Sequence, residues 1–489
     1  MIGNISLSVI RSWDPPMAFE LRPYQVDGVE ALCAAFRAGK QAPLLQLPTG
    51  AGKTICFCFL ALNSARKGNR ICILVHRQEL LQQTSRALES LGVAHGIIAP
   101  GYSATDDPVQ VASVQTLVRR IAKGDRRATG FDLLVIDEAH HSTAGSWCKV
   151  ITAMPKARIL GVTATPCRLD GKGLGTVFDE LVLGPSIREL IDLGFLVPSV
   201  VYAPPVVADL KDVRVTGGDF RVGDLAMAMD KPTITGDAVD HYRRICPGVP
   251  AIAFCTSIEH ARHVAAEFSA AGFRAESIDG NMADGQRKNL IQALGDGRVQ
   301  VLTSCDIVSE GTDIPIVGAA ILLRPTKSEG LFLQQVGRAL RPAPGKRHAI
   351  ILDHVGNVLR HGMPDEEREW SLEGGAGKRK GNSCPNEPTV RQRPSCYAAH
   401  RPASRCPICG HEYEASARGI EFAPGELKQI DPKALTMQRD AEKLRKKAEV
   451  ANARSRDQLL EVARKYGHNP RWVDHVLDAR ARYRGGVAV

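Results

Sequence analysis

Apolar residues along this chain fall into short runs, and the runs alternate with stretches of helical periodicity. A helical repeat through Val26, Val29, Leu32, Cys33 and Phe36 precedes an apolar run that ends at Leu47, and a second apolar stretch spans Ile55 to Leu62. Strand-like runs at 70–75, 108–112, 131–136 and 158–162 then alternate with helical stretches such as 77–91 and 116–122. This alternation predicts an α/β fold, a parallel sheet covered by helices on both faces, with ligands collecting at the carboxyl ends of the strands. The pattern starts again later, with strands over 251–254, 275–278 and 299–303 and a helix over 257–271. Between the blocks, proline and glycine break the periodicity, as in Ala203-Pro204-Pro205 and Thr216-Gly217-Gly218. That stretch reads as a linker carrying a small insertion. The expected division is a first lobe at 17–195, the linker at 196–235 and a second lobe at 236–360.

The residues with chemical potential sit just after the strand-like runs. Pro48-Thr49-Gly50-Ala51-Gly52-Lys53-Thr54 follows one run and opens a helix. A strand, a glycine-rich turn and a helix start form a phosphate cradle, in which backbone N–H groups and the positive helix end face the anion. Lys53 would reach the β and γ phosphates, and the Thr54 hydroxyl would hold Mg²⁺. The run 133–136 ends in Asp137 and Glu138, placed to bind Mg²⁺ through water and to deprotonate an attacking water respectively. Before the cradle, the Gln25 amide offers a donor and an acceptor that match adenine, with Arg22 beside it. In the second block Arg338 and Arg341, three apart, share one helix face and can point at one anion.

The order LRPYQ, PTGAGKT, VHRQEL, SVQTL, DEAHH, TATPCRLDGKGLG and QQVGRALR resembles a superfamily 2 helicase of the DEAD/DEAH type over residues 20 to 355. Within that superfamily, TATPCRLDGKGLG and the cysteine-bearing tail are similar to RadD-like bacterial and phage DNA repair helicases. The resemblance implies two tandem RecA-like parallel-sheet lobes with ATP and Mg²⁺ bound between them, Arg338 and Arg341 acting as arginine fingers, and Gln334 beside them. It carries Gly311 and Asp313 over as nucleotide contacts. It also carries over nucleic-acid contacts from His76, Arg77, Ser113, Gln115 and Thr116 in the first lobe and from Gly280, Thr303 and Ser304 in the second. The implied activity is an ATP-dependent helicase acting on DNA rather than RNA, in repair or recombination, as a monomer with single-strand-binding or repair proteins as partners. A translocase or annealing motor that does not separate strands is the alternative, as is the motor subunit of a larger enzyme. A non-catalytic recruiter would have lost Lys53, Glu138 or Arg338, and all three are present.

Composition adds a C-terminal appendix to this picture. At 489 residues the chain has room for about three domains. It contains no apolar run long enough to span a membrane and opens with no basic leader, so a cytoplasmic location is expected. The net charge is +10, and the last 65 residues hold 15 Lys and Arg against 9 Asp and Glu, so the excess concentrates where an anionic polymer would be met. Nine of the 13 cysteines are scattered through 33–305 within apolar runs and read as reduced core residues. Cys384, Cys396, Cys406 and Cys409 cluster instead, as a zinc-knuckle-like segment at 384–413 that follows a flexible link at 361–383. Cys406-Pro407-Ile408-Cys409 is a complete knuckle, but Arg393 stands where the other knuckle's first cysteine would be. Cys384, His400 or His411 could supply a fourth Zn²⁺ ligand, or the thiols hold no metal. A basic helical tail at 425–489, with arginines beside Trp472 and Tyr483, reads as an accessory nucleic-acid contact or a plain surface hairpin.

Overall fold

A computed structural model describes residues 20–168, 170–203, 215–216, 219–220, 232–305, 316–374, 378–379, 390–392, 396, 398–401, 403 and 405–412, with short stretches between 449 and 477. Gly311, Asp313, Cys384 and Arg393 lie outside the described residues, as does most of the 425–489 tail.

The first lobe holds seven strands: β1 (Pro43–Gln46), β2 (Ile71–Val75), β3 (His95–Ile98), β4 (Val109–Ser113), β5 (Leu133–Asp137), β6 (Arg158–Thr163) and β7 (Glu180–Leu183). They lie in the order β3-β4-β2-β5-β6-β1-β7, and every neighbouring pair is parallel. Helices α1 (Pro23–Arg37), α2 (Lys53–Ala65), α3 (Gln78–Ser90), α4 (Val114–Ala122), α5 (Gly145–Ala153) and α6 (Ile187–Asp192) connect and cover them. β2 shows why the strands read as unbroken apolar runs: Ile71, Ile73 and Val75 enter one hydrophobic cluster, while Cys72 and Leu74 enter another. With both faces covered, the alternation of side chains gives no polar face. Burial pushes the Cys56 and Cys167 thiols of this lobe up to about 12.

The second lobe is a sheet of eight strands in the order β12-β13-β11-β14-β15-β8-β19-β18. Its strands are β8 (Ser199–Tyr202), β11 (Ala251–Phe254), β12 (Ala275–Ile278), β13 (Val301–Ser304), β14 (Ala319–Leu322), β15 (Ala349–Asp353), β18 (Arg391–Gln392) and β19 (Ala398–His400). The short pairs β9 (Val215–Thr216) with β10 (Asp219–Phe220), and β16 (Arg368–Glu369) with β17 (Lys378–Arg379), stand apart from it. The helices here are α7 (Pro232–Ile245), α8 (Ile258–Ala270), α9 (Asp284–Gly295), α10 (Glu329–Ala339) and α11 (Asn357–His361). Pairing is parallel from β12 through β8, then antiparallel through β19 and β18. Two described segments differ from the sequence expectation. β8 lies in the stretch read as linker, yet pairs with β15, Ser199 opposite Ala349. The hairpin of β18 and β19, next to the clustered cysteines, extends the same sheet and covers the β8 edge.

The described part of 361–383 is likewise built in rather than a free link. Arg368 pairs with Glu329 at 2.5 Å, both buried, and donates to the carbonyls of His361, Met363, Pro364 and Glu366. Farther on the chain returns to the first lobe: Gly175 N donates to Leu372 O at 2.9 Å, and Lys172 pairs with Gly374 in an antiparallel bridge. A side chain on Gly173 would stand 2.0 Å from Leu372 O, so the backbones meet only because that position is glycine. Asp365 adds ion pairs to Arg188 of α6 and, at 3.4 Å, to Arg401.

The described part of residues 415–489 forms a compact unit of its own. Its helix α12 (Arg456–Lys465) packs Leu459 with Ala453 and Val473, and Lys465 pairs with Glu449 at 2.8 Å. Among the described residues no helix is long and apolar enough to cross a membrane.

Candidate functional site

The turn from β1 into α2 is shaped by two glycines in the left-handed region, Gly50 at φ 90° and Gly52 at φ 80°. A side chain at Gly52 would stand 2.4 Å from Gln25 Nε2, so this position demands glycine on two counts. Gln25 itself is buried: its Oε1 accepts from Arg22 N at 2.9 Å, and its Nε2 donates to Ala51 O at 3.0 Å. The amide expected to meet a base thus braces the turn in this arrangement. Tyr24 does the same, its hydroxyl donating to Ala51 O at 2.9 Å. Arg22 lies with its guanidinium 4.7 Å above the Phe195 ring.

Thr49, Gly50, Gly52, Lys53, Thr54, Asp137, Glu138, Arg338 and Arg341 line one cleft of about 420 Å³, with Arg22 and Phe195 at its side. That volume suits a small ligand. The first lobe contributes the β1–α2 turn and the end of β5; the second contributes Arg338 from α10 and Arg341 from just beyond its end at Ala339, so the two arginines expected on one helix face are split by the helix terminus. Gly337 lets α10 approach, since a side chain there would stand 2.7 Å from Thr49 Cβ. Arg341 reaches over Gly50, whose added Cβ would sit 3.4 Å from Arg341 Cγ. Gln334 is buried in the same helix. Thr54 and Asp137 bring a hydroxyl and a carboxylate to the cleft, the hard oxygen donors that Mg²⁺ takes.

Glu138 is held in an unusual backbone conformation. Its φ of 49° and ψ of 56° make it the one non-glycine residue at positive φ among those described. Such a conformation costs an L-residue about 1–2 kcal/mol, and it persists where the surroundings enforce it. Here Asp137 Oδ1 accepts from Glu138 N at 2.9 Å. His140 Nδ1 lies 3.4 Å from Glu138 Oε2 and 3.2 Å from Thr163 Oγ1, which in turn donates to Thr165 O at 3.0 Å.

The expected strand-gripping residues divide into two groups. His76 and Arg77 follow the end of β2, Ser113 closes β4, and Gln115 and Thr116 lie in the first turn of α4, all at the carboxyl end of the sheet; Gln115 is exposed and the others are half-buried. Gly280 is exposed after β12. Thr303 and Ser304, by contrast, are buried in β13, and the Thr303 hydroxyl donates to Ala261 O at 2.6 Å inside the second lobe. Consecutive residues of a strand face opposite sides of the sheet, so the burial of both means that β13, flanked by β12 and β11, is covered on both faces here.

Two contributors carried no sequence signal. Phe195 stands at the edge of the linker, and Lys346 follows a turn with no motif of its own. Lys346 Nζ donates to Val317 O at 2.5 Å and to Arg341 O at 2.6 Å. Burial, and then the Arg341 charge, push its ammonium down to about 8.

Away from the cleft, the Sγ atoms of Cys396, Cys406 and Cys409 lie within 4.8 Å of one another, and Cys396 and Cys406 are 3.8 Å apart. A tetrahedral zinc with Zn–S near 2.3 Å has sulfur–sulfur edges of about 3.8 Å, so the spacing fits. Gly410 at φ 71° turns the knuckle, with its N donating to Cys406 O at 3.0 Å and Cys406 N donating to His411 O at 2.7 Å. His400 Nδ1 is bonded to Arg401 O at 2.6 Å. Burial and the adjacent thiols push Cys396 up to about 11.

Comparison with known proteins adds the following. The family of type III restriction enzyme res subunits matches residues 18–168, and the helicase conserved C-terminal domain matches residues 238–343. A 51.5 kDa protein of a Lactococcus phage (isolate 7-9) is 32% identical over 422 residues, covering 84% of this chain and 89% of its own. IRC3 of Saccharomyces cerevisiae, named as an ATP-dependent helicase, is 33% identical over 63% of this chain, which spans 47% of that protein. A fragment assigned to the HsdR subunit of a type I restriction enzyme from Vibrio vulnificus YJ016 superposes with a TM-score of 0.58 at 22% identity, over 76% of this chain and 69% of that one. This last likeness bears on fold alone.

Proposed function

This chain belongs to the superfamily 2 helicases, an ATP-hydrolysing family, and on that premise we propose that it is a DNA-directed motor whose hydrolysis is completed by closure of its two RecA-like lobes. The observation that supports this most is the meeting of Lys53, Thr54, Asp137 and Glu138 from one lobe with Arg338 and Arg341 from the other around one cleft. Lys53 and the turn amides bind the phosphates, Glu138 orients and deprotonates the attacking water, and the two arginines stabilise charge on the transferring phosphoryl group. Mg²⁺ held by Thr54 and Asp137 would neutralise phosphate charge. His76, Arg77, Ser113, Gln115, Thr116 and Gly280 offer contacts to a sugar-phosphate backbone, which suit a motor indifferent to sequence. Repair or recombination is the role we assign, in keeping with the RadD-like resemblance of the tail.

DNA is favoured over RNA by partial relatives whose names specify it. The chain is 30% identical over 31% of its length to the DNA 3′-5′ translocase XPB2 of Sulfurisphaera tokodaii. It is also 30% identical over 30% of its length to the ATP-dependent DNA helicase mph1 of Neosartorya fischeri. The first name favours a second reading, translocation along DNA. ATP turnover and strand displacement measured together on single-stranded, duplex, forked and RNA substrates separate these readings. We expect DNA-stimulated turnover that Lys53→Ala removes while strand binding survives; turnover by Lys53→Ala at the wild-type rate would overturn the assignment.

Lobe closure makes a prediction of its own. Gly337→Ala should push α10 off Thr49 and reduce turnover about 10²-fold, the usual cost of displacing catalytic groups by roughly 1 Å. Nucleotide affinity should stay near wild type, because the phosphate cradle is in the first lobe. Steady-state kinetics beside titration of a fluorescent nucleotide would check both halves.

We assign the three thiols to a structural Zn²⁺, with the fourth ligand from Cys384, His400 or His411. Purified protein should carry stoichiometric zinc that Cys409→Ser abolishes, with a lowered melting temperature. Metal analysis that finds none in the wild type sinks the site.

A further inference from the structure

β2 and β5 are adjacent parallel strands, Leu74 opposite Ile136, so the loops that follow them emerge side by side. One loop carries His76 and Arg77; the other carries Glu138, His140 and His141. The His140 ring, with Nδ1 3.4 Å from Glu138 Oε2, lies 4.2 Å from the His141 ring at a 44° tilt. The His141 ring lies 4.6 Å from that of His76 at 60°, and Arg77 Nε donates to His76 Nε2 at 3.2 Å. An unbroken series therefore runs from the carboxylate in the cleft, through three imidazoles, to Arg77, which the motor reading assigns to the strand.

We propose that His141 is a positioning residue that transmits occupancy of the Arg77 loop by a nucleic-acid strand to the Glu138 carboxylate. The inference rests on the motor reading given above and names how that motor senses its track. Rings packed in series, His76 on His141 and His141 on His140, constrain one another's rotation, because each fills space into which its neighbour would move. A strand phosphate that draws Arg77 outward alters the His76 ring through their shared hydrogen bond. The His141 ring has to follow, and it bears on His140, which lies against both Glu138 and Thr163. Glu138 already sits in a left-handed conformation that its surroundings enforce, so a small shift of the neighbouring ring changes where the carboxylate points. His141 itself lies in neither set of proposed contacts. Its removal should break the connection and leave both ends working.

The test compares His141→Ala and His141→Phe with wild type, using single-stranded oligothymidylate as the probe. Basal ATP turnover without strand, strand affinity by fluorescence anisotropy and turnover at saturating strand are measured for each. His141→Ala should keep basal turnover and strand affinity at wild-type levels while the stimulation by strand falls about tenfold, within the range of ordinary coupling free energies. His141→Phe, which keeps a ring between His76 and His140, should recover most of that stimulation. Full stimulation in His141→Ala overturns the inference, as do parallel losses of basal and stimulated rates or a folded His141→Phe that fails to recover. A wild type that ignores every strand removes the motor premise and this inference together, whereas a responsive wild type with a responsive His141→Ala overturns the inference alone.

Discussion

Arg338→Ala is expected to lower strand-stimulated ATP turnover by about 10³-fold or more, the magnitude that loss of an arginine finger carries. Arg338 is 6% exposed, in a helix whose preceding residue, Gly337, lies against Thr49 of the phosphate turn. A cation held there meets phosphate charge as it develops and needs no rearrangement at the moment of reaction. Arg338→Lys should fall nearly as far, because an ammonium on a flexible stem cannot reproduce the planar fork of the guanidinium. Affinity for ATP should change little in both variants. The measurement is kcat at saturating strand beside a nucleotide titration; turnover within tenfold of wild type would remove Arg338 from the reaction. Arg341, reaching over Gly50, should show the same direction of effect.

Glu138→Gln should reduce the same rate by about 10²- to 10⁴-fold, the range for losing a general base. The substitution keeps size and shape and removes only the capacity to take a proton. Strand binding and melting temperature should therefore match wild type, which separates a chemical defect from a folding one. Single-turnover hydrolysis of pre-bound ATP isolates the chemical step from product release. A Glu138→Gln protein that turns over at the wild-type rate would move the base elsewhere.

Much of the cleft was legible because phosphate chemistry demands particular residue types at fixed local spacing. Gly50, Gly52, Lys53 and Thr54 are contiguous, as are Asp137 and Glu138, and each group follows a strand whose two buried faces leave an apolar signature. What could not be read depends on partners distant in sequence. The Gln25 amide also braces the turn through Ala51 O, 26 residues away, a contact that no local pattern announces. Thr303 looks like a phosphate contact until Ala261 O, 42 residues away, takes its hydroxyl. β8 is only four residues long between Pro198 and Ala203-Pro204, so its composition reads as linker; β15, which completes it, comes some 150 residues later. The stretch 363–374 has no periodicity because Arg368 and backbone groups hold it, and its apolar contacts, from Met363, Trp370 and Leu372, fall at irregular spacing. Lys346 acts through carbonyls alone, a role that leaves no pattern among neighbouring residues.

The contact of Leu372 and Gly374 with the 172–175 loop makes the path of the polypeptide a closed circuit: out of the first lobe at the linker, through the second, and back. A body moored at two points can swing about the line between the moorings but cannot slide or twist freely against its neighbour. Any opening and closing of the cleft would then be confined to one arc, the same in every cycle. A motor needs that restriction if hydrolysis at one end is to become displacement in a single direction at the other.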